Sequence, residues 1–272
     1  MTATLQRTND TASLALAPAS SGFPKQRSHI YYFLEQAKRT STCFCKIDVD
    51  MTRVRDAQRA HREQGRRVST VSILAKATAL AIRKHPEANA GVRHSWVPKR
   101  APYRSIDCKV LFDKSIDGVR SVTAAVLPRT DELDVAEIQK TVEYYRDTPY
   151  ERIAEYEGLR TLHRLPFWLG RFVYDVLSTD IQKRAAIEGT YSLTLLGNTR
   201  VTEAFPMITN TLGFVGGAII DTPVVRDGEI VVRPIMTLVL AADHAVIDGA
   251  IAVGLLDTTC NILESWQVDD GA

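Results

Sequence analysis

The sequence predicts a single α/β domain in which a β-sheet packs on helices, and three observations carry that prediction. Short β-branched and aliphatic runs bounded by turn residues alternate with amphipathic stretches of helical period. The chain has 272 residues, 45% of them hydrophobic and 24% charged, enough for one large core. No internal repeat and no linker divides it.

Taken in order, residues 1–24 are rich in Thr, Ser, Ala and Asn without periodicity and are expected to form a disordered tail. "SHIYYFLEQAKRT" predicts a short helix, "CFCKIDVD" a strand, and Met51 to about Gln64 a second helix. A third helix starts after Ser69, and "VSILAKATALAIRKHPEA" is apolar around so much of its circumference that it should be buried. Strands follow at "CKVLFD" and "SVTAAVL", then a helix, "DVAEIQKTVEYYRD", with Asp134 as its cap. The stretch 148–188 is charged and aromatic, and "LPFWLGRFVYDVL" within it reads either as a helix packed on the core or as a cover over a hydrophobic substrate. Strands then dominate: "TYSLTLLG", "LGFVGGAII", and the hairpin "PVVRDGEIVV" with Asp227 and Gly228 in its turn. The apolar strand "PIMTLVLAA" leads into "DHAVIDG", and a final helix carries Ile251, Leu255, Ile262 and Leu263 at near-helical spacing.

A formal net charge of +2 and the lack of a basic run interleaved with aromatics give no reason to expect a nucleic-acid partner. Cys43, Cys45, Cys108 and Cys260 have neither metal nor redox spacing, so they are expected to be reduced core thiols, with Cys43 and Cys45 on one packed face. No apolar run reaches membrane-spanning length, and "SLALAPASSG" is too short in its apolar part for a signal peptide. A cytoplasmic protein acting on small molecules is the expectation.

Of the six histidines, five (His29, His61, His85, His94 and His163) take the default of packing or capping residues. His244 has a different context. It sits where a strand becomes a helix, between Asp243 and Asp248 and just before Gly249, with Asp248 available as the helix N-cap. A neutral imidazole aimed from such a junction can take a proton from an attacking hydroxyl, thiol or amine.

"DHAVIDG" resembles the H-x-x-x-D-G signature of the catalytic domain of 2-oxo acid dehydrogenase acyltransferase (E2) components and of chloramphenicol acetyltransferase. "KIDVDMT" (46–52), "ILAKATALAIRKHPEANA" (73–90), "LDVAEIQKTV" (133–142), "GTYSLTLLG" (189–197) and "VVRDGEIVVRPIMTLVLAADHAVIDGA" (224–250) resemble successive blocks of that family in the same order, so the resemblance spans about 25–266. It implies the chloramphenicol acetyltransferase-like two-layer fold, a mixed β-sheet with packed helices, for a catalytic domain over 25–272 with an aromatic-rich insertion at about 148–188. It implies a CoA-dependent acyltransferase working by direct transfer, with His244 as general base, Thr194 as the hydroxyl that stabilises the oxyanion, and Asp248 in a structural, orienting role. In the family the aspartate pairs with an arginine near the N-terminus. That position falls on Gln26 here, and a one-residue shift would let Arg27 supply the salt bridge to Asp248. The implied assembly is a homotrimer with sites between subunits, so that His244 and Thr194 of one site come from different chains.

Several features point away from a working dehydrogenase component. The tail before residue 25 is too short for a lipoyl domain, and "FDKSIDG" places Lys114 inside the acyltransferase blocks, as an ordinary surface lysine. "ILESWQVDDGA" lacks an apolar cage-forming end, and 148–188 is longer than its counterpart. In architecture the chain resembles the free-standing E2-like acetyltransferases of tetronate and spirotetronate biosynthesis. The expected reaction is O-acetylation of a small hydroxylated secondary metabolite by acetyl-CoA, with no metal and no covalently bound lipoyl group. Transfer to a thiol or amine, as with dihydrolipoamide on a separate protein or a chloramphenicol-like acceptor, and a non-catalytic trimeric scaffold remain as alternatives.

Overall fold

Local signals set most of the elements in the computed structural model, which describes residues 22–93, 95–197 and 199–268. The tail expected over 1–24 lies outside the described residues as far as Ser21, as does His94. Helix α1 (Ser28–Ala37) precedes strand β1 (Thr42–Asp50), and α2 (Thr52–Glu63) and α3 (Thr70–Lys84) follow. The Ser69 side chain caps α3 by accepting from the Ser72 amide at 3.3 Å, and ten of the helix's fifteen residues are buried. A small hairpin, β2 (Ala90–Arg93) with β3 (Lys99–Pro102), leads to a second one, β4 (Cys108–Ile116) with β5 (Val119–Leu127). Helix α4 (Val135–Asp147) starts in a capping box. Asp134 accepts from the Glu137 amide at 2.6 Å while the Glu137 carboxylate accepts from the Asp134 amide at 2.9 Å.

The stretch 148–188 forms three helices, α5 (Glu157–Arg164), α6 (Phe167–Thr179) and α7 (Ile181–Glu188). Strand β6 (Tyr191–Leu195) is followed by two fifteen-residue strands, β7 (Leu212–Arg226) and β8 (Glu229–Asp243), and by α8 (Gly249–Glu264). The runs expected as separate strands on either side of Pro223 and of Pro234 are thus continuous. Asp227 (φ 53°) and Gly228 (φ 83°) close the hairpin, both in the left-handed region that a two-residue hairpin turn requires.

The six-stranded sheet has the order β1-β8-β7-β6-β4-β5. β4, β6 and β7 are mutually parallel and the remaining pairs antiparallel, so the sheet is mixed, as predicted. One face packs on α2, α3, α4 and α8. Val110, Leu193, Phe214 and Leu240 point into that layer and meet Val54, Leu74, Ile138 and Leu255. Cys43 and Cys45 are free thiols, half-buried against the same face. The other face is covered by two different structures. α1, α5 and α6 lie over β4 and β5, whereas 199–211 cross over the strands beside β6. There Ala218 donates to the Val201 carbonyl at 2.9 Å and Phe44 meets Phe205 edge-on at 5.3 Å.

Two expectations change. Lys114 is no free surface lysine: its ammonium donates to the Arg146 and Thr148 carbonyls at 2.8 and 2.7 Å, satisfying the C-terminal end of α4. β2 and β3 were missed because four-residue strands holding Arg93, Lys99, Arg100 and Pro102 carry no apolar alternation.

Candidate active site

Asp243 builds the turn that presents His244. Its carboxylate accepts from the Ala245 amide at 3.1 Å, and its carbonyl accepts from the Val246 and Ile247 amides. The side chain is 4% exposed, so this is an internal brace and not a solvated charge. The His244 amide donates to the Ser41 carbonyl at 2.8 Å, pinning the turn to the start of β1. The imidazole itself is exposed and has no hydrogen-bond or ion-pair partner among the described residues. A rigid backbone with a free ring is what a base serving an external proton donor needs.

Thr194 is half-buried near the end of β6, and its hydroxyl likewise has no partner among the described residues. Its orientation follows from register. Ser192 pairs with Lys109, and Val110 beside Lys109 points into the helical core, so Lys109, Ser192 and Thr194 share the opposite face. Thr194 pairs with Val215 and Val215 with Val239, which places Thr194 two strands across from β8 and five residues back from His244. At about 3.3 Å per residue and about 4.8 Å per strand, the two residues of one chain stand about 19 Å apart. One chain does not bring them together.

Asp248 occupies the N-cap position of α8, but its side chain makes no capping bond, and it has no partner among the described residues. Nor does it pair with Arg27. Arg27 follows Gln26, whose carbonyl accepts from Ser121 of β5, at the far edge of the sheet from β1 and β8. The salt bridge anticipated from the motif is thus not made within a chain, because Arg27 and Asp248 belong to opposite ends of the strand order.

A concavity lies between the β4–β5 end of the sheet and α1, α5 and α6. It is a cavity of about 810 Å³, within the range of small-molecule sites. Its walls are largely aliphatic, with Leu111, Val122 and Val126 from the sheet and Leu159, Leu162 and Leu177 from the helices. The aromatic stretch therefore both packs and covers. One side of α6 gives Val173, Tyr174 and Leu177 to the cavity, while Trp168, Phe172 and Val176 lie on its exposed side, 71%, 62% and 53% accessible.

A polar cluster interrupts this apolar wall. Lys109 and Glu188 form an ion pair, their side chains 10% and 7% exposed, and Tyr174 donates to Glu188 at 2.5 Å. Burial pushes the Glu188 carboxyl up. The Lys109 charge, with hydrogen bonds from Lys109, Tyr174 and Thr209, more than offsets this and holds it below the usual range. On another wall, Tyr150, His163 and His29 form a chain ending on the Val122 carbonyl. Because a carbonyl only accepts, the neutral rings have one arrangement. Tyr150 donates to His163 Nδ1, His163 Nε2 donates to His29 Nδ1, and His29 Nε2 donates to Val122. Burial lowers both histidines, His163 to about 4. Among the described residues no cluster of three or more His, Cys, Asp or Glu side chains is placed to hold a metal ion.

The family model described as 2-oxoacid dehydrogenases acyltransferase (catalytic domain) matches residues 21–152 and 173–268. The chain belongs to this acyltransferase family. The succinyltransferase component of the 2-oxoglutarate dehydrogenase complex of Haemophilus influenzae is 25% identical over 246 residues, covering 88% of this chain and 52% of that protein. The chain spans about half the length of the curated relatives it matches. A probable dihydrolipoamide acetyltransferase from Listeria monocytogenes superposes with a TM-score of 0.68 at 17% identity, covering 95% of this chain and 99% of that one. A chloramphenicol acetyltransferase superposes at 0.51 with 13% identity, covering 89% and 95%. The acyltransferase catalytic-domain fold read from the motif blocks is therefore the fold of this chain.

The family match leaves out residues 153–172, which contain α5 and the start of α6. Those residues supply Leu159, Leu162 and Leu165 to the cavity. Sequence reasoning did not find the Lys109–Glu188–Tyr174 cluster or the histidine chain. The one legible signal was a lysine inside the apolar strand "CKVLFD", which strand alternation places opposite Cys108 and Val110.

Proposed function

We propose that residues 25–272 act as a CoA-dependent acyltransferase domain that moves an acetyl group from acetyl-CoA to the hydroxyl of a small, mostly apolar acceptor. The neutral His244 ring takes the acceptor's hydroxyl proton, and the oxygen attacks the thioester carbonyl carbon. The Thr194 hydroxyl donates to the resulting oxyanion. Collapse breaks the C–S bond, and the departing CoA sulfur takes the proton back from the imidazolium. Asp243 and Asp248 flank the base in structural roles, Asp243 through the turn already described.

The observation that carries the acceptor class is the cavity. Its wall is largely aliphatic, and the part of the chain outside the family match adds Leu159, Leu162 and Leu165 to it. A working site needs a second copy, because His244 and Thr194 are too far apart in one chain to share a thioester. A homotrimer with sites between subunits supplies the missing partner. Apolar side chains left exposed on the β7–β8 hairpin, Ile230 (78%) and Val232 (66%), favour such association.

The size and aliphatic lining of this cavity favour, as acceptor, a hydroxylated secondary metabolite such as a tetronate intermediate, acetylated in the cytoplasm by a free-standing enzyme of antibiotic biosynthesis. Transfer to a dihydrolipoyl thiol is the second candidate, favoured by the names of the curated relatives. The test is thiol release from acetyl-CoA by the wild type and His244→Ala. The acceptor panel runs from hydroxymethyl tetronates to dihydrolipoamide and chloramphenicol. Turnover of a hydroxylated acceptor that vanishes in the variant supports O-acyl transfer. Turnover of dihydrolipoamide alone replaces it with the thiol acceptor, and no turnover in either protein favours a scaffold.

A further inference from the structure

The cluster at one end of the cavity is unevenly satisfied, and the imbalance says what it awaits. Both Glu188 oxygens are engaged: Oε1 accepts from Tyr174, and Oε2 accepts from Lys109 and from Thr209 at 3.4 Å. Even its backbone carbonyl accepts from Asn210 at 3.1 Å. Lys109 is not saturated. An ammonium has three N–H donors. One goes to Glu188, and the Phe33 ring, its centroid 4.8 Å from Nζ, faces the charge on another side. No other acceptor among the described residues reaches the ammonium, although Lys109 is 8% exposed and borders the cavity. A buried donor without an acceptor is costly, so the ligand that fits is one bringing an oxygen lone pair.

We propose that Lys109 anchors the acceptor. The cavity takes an amphipathic molecule whose aliphatic body lies on the apolar wall and whose carbonyl, enolate or carboxylate oxygen accepts from the Lys109 ammonium. Register adds a constraint. Lys109 pairs with Ser192, two residues from Thr194 on the same face, so the Cα atoms of Lys109 and Thr194 are about 8 Å apart. The hydroxyl that is acylated therefore belongs to the same compact head group as the anchoring oxygen, as in a hydroxy-carbonyl compound. This assignment rests on the acyl-transfer function proposed above.

Binding in the absence of acyl-CoA tests it without relying on turnover. Calorimetric titration of the full chain would use three probes with the same decyl tail: undecanoate, dodecan-2-one and decyltrimethylammonium. The oxygen-bearing probes should bind at least about 10-fold more tightly than the ammonium, the worth of one hydrogen bond to a charged group. His244→Ala should keep that preference, and Lys109→Met/Glu188→Gln, which removes both charges together, should abolish it. Equal affinities for all three probes in the wild type would overturn the anchor, and that arm needs no variant to fold. Survival of the preference in the double variant would overturn it too. A preserved preference without turnover of any acceptor would count against the proposed reaction and leave the anchor standing.

Discussion

His244 and Thr194 stand about 19 Å apart in one chain, with β7 between their strands, and each presents a polar group with no partner among the described residues. If they meet across a subunit boundary, His244→Ala and Thr194→Val should each be nearly inactive alone, the second by about 100-fold to 1000-fold. Co-refolding them at equal amounts should restore about a quarter of wild-type thiol release, since random assembly in a closed ring leaves that share of sites intact. Mixed protein no more active than either variant would place the two groups outside a shared site.

Asp243 should matter through the turn it braces. Asp243→Ala orphans the Ala245 amide in a buried corner, at a cost of about 1–3 kcal/mol, and releases the His244 backbone. Asp243→Asn keeps an acceptor oxygen and should retain most of both stability and turnover. Thermal unfolding and kcat measured on both variants decide this. Equal losses in the two would assign the role to the charge.

The Lys109–Glu188 pair makes a stability prediction separate from ligand binding. Lys109→Met alone strands a buried carboxylate and should cost about 3–5 kcal/mol, whereas adding Glu188→Gln should recover most of it. Urea unfolding of the two proteins measures the difference. A single variant as stable as the wild type would show that water reaches Glu188.

His163 makes stability depend on pH. Its folded value of about 4 lies below that of a free histidine, so the unfolded chain binds more protons between about pH 6.5 and 4. The stabilisation is therefore complete above about pH 6.5 and is lost as pH falls toward 4, on the order of 1–2 kcal/mol after discounting for partial exposure. Protonation of His29 adds in the same direction, and nearby Asp117 opposes it. A His163→Gln variant should lose less stability than the wild type over that window. Parallel curves for the two proteins would contradict the donor chain.

Gly217 lies under the crossing segment 199–211. A Cβ there would meet the Thr202 carbonyl oxygen at 1.7 Å, backbone against backbone. Gly217→Ala should lower stability by at least about 1–3 kcal/mol and weaken the cover over the sheet face behind Thr194. Unchanged urea unfolding would mean that the segment yields freely.

Much of the architecture was legible in advance because it rests on neighbours in the chain. The period of "VSILAKATALAIRK", the Asp134–Glu137 capping pattern and the Asp227–Gly228 turn each specify an element within a few residues, and the order of motif blocks specifies the family fold. The strand-to-helix setting of His244 was legible for the same reason. Three features were not. Lys109 meets Glu188, and His29 meets His163, only because α1, α6 and α7 fold back over β4 and β5. Asp248 is left without Arg27 because the strand order sends them to opposite edges. The sequence by itself determined most of the elements, their order and the family to which the chain belongs. The tertiary structure alone decided which residues share a face, a cavity or a chain, because strand order and helix docking depend on pairings between residues far apart in sequence, which no local period encodes.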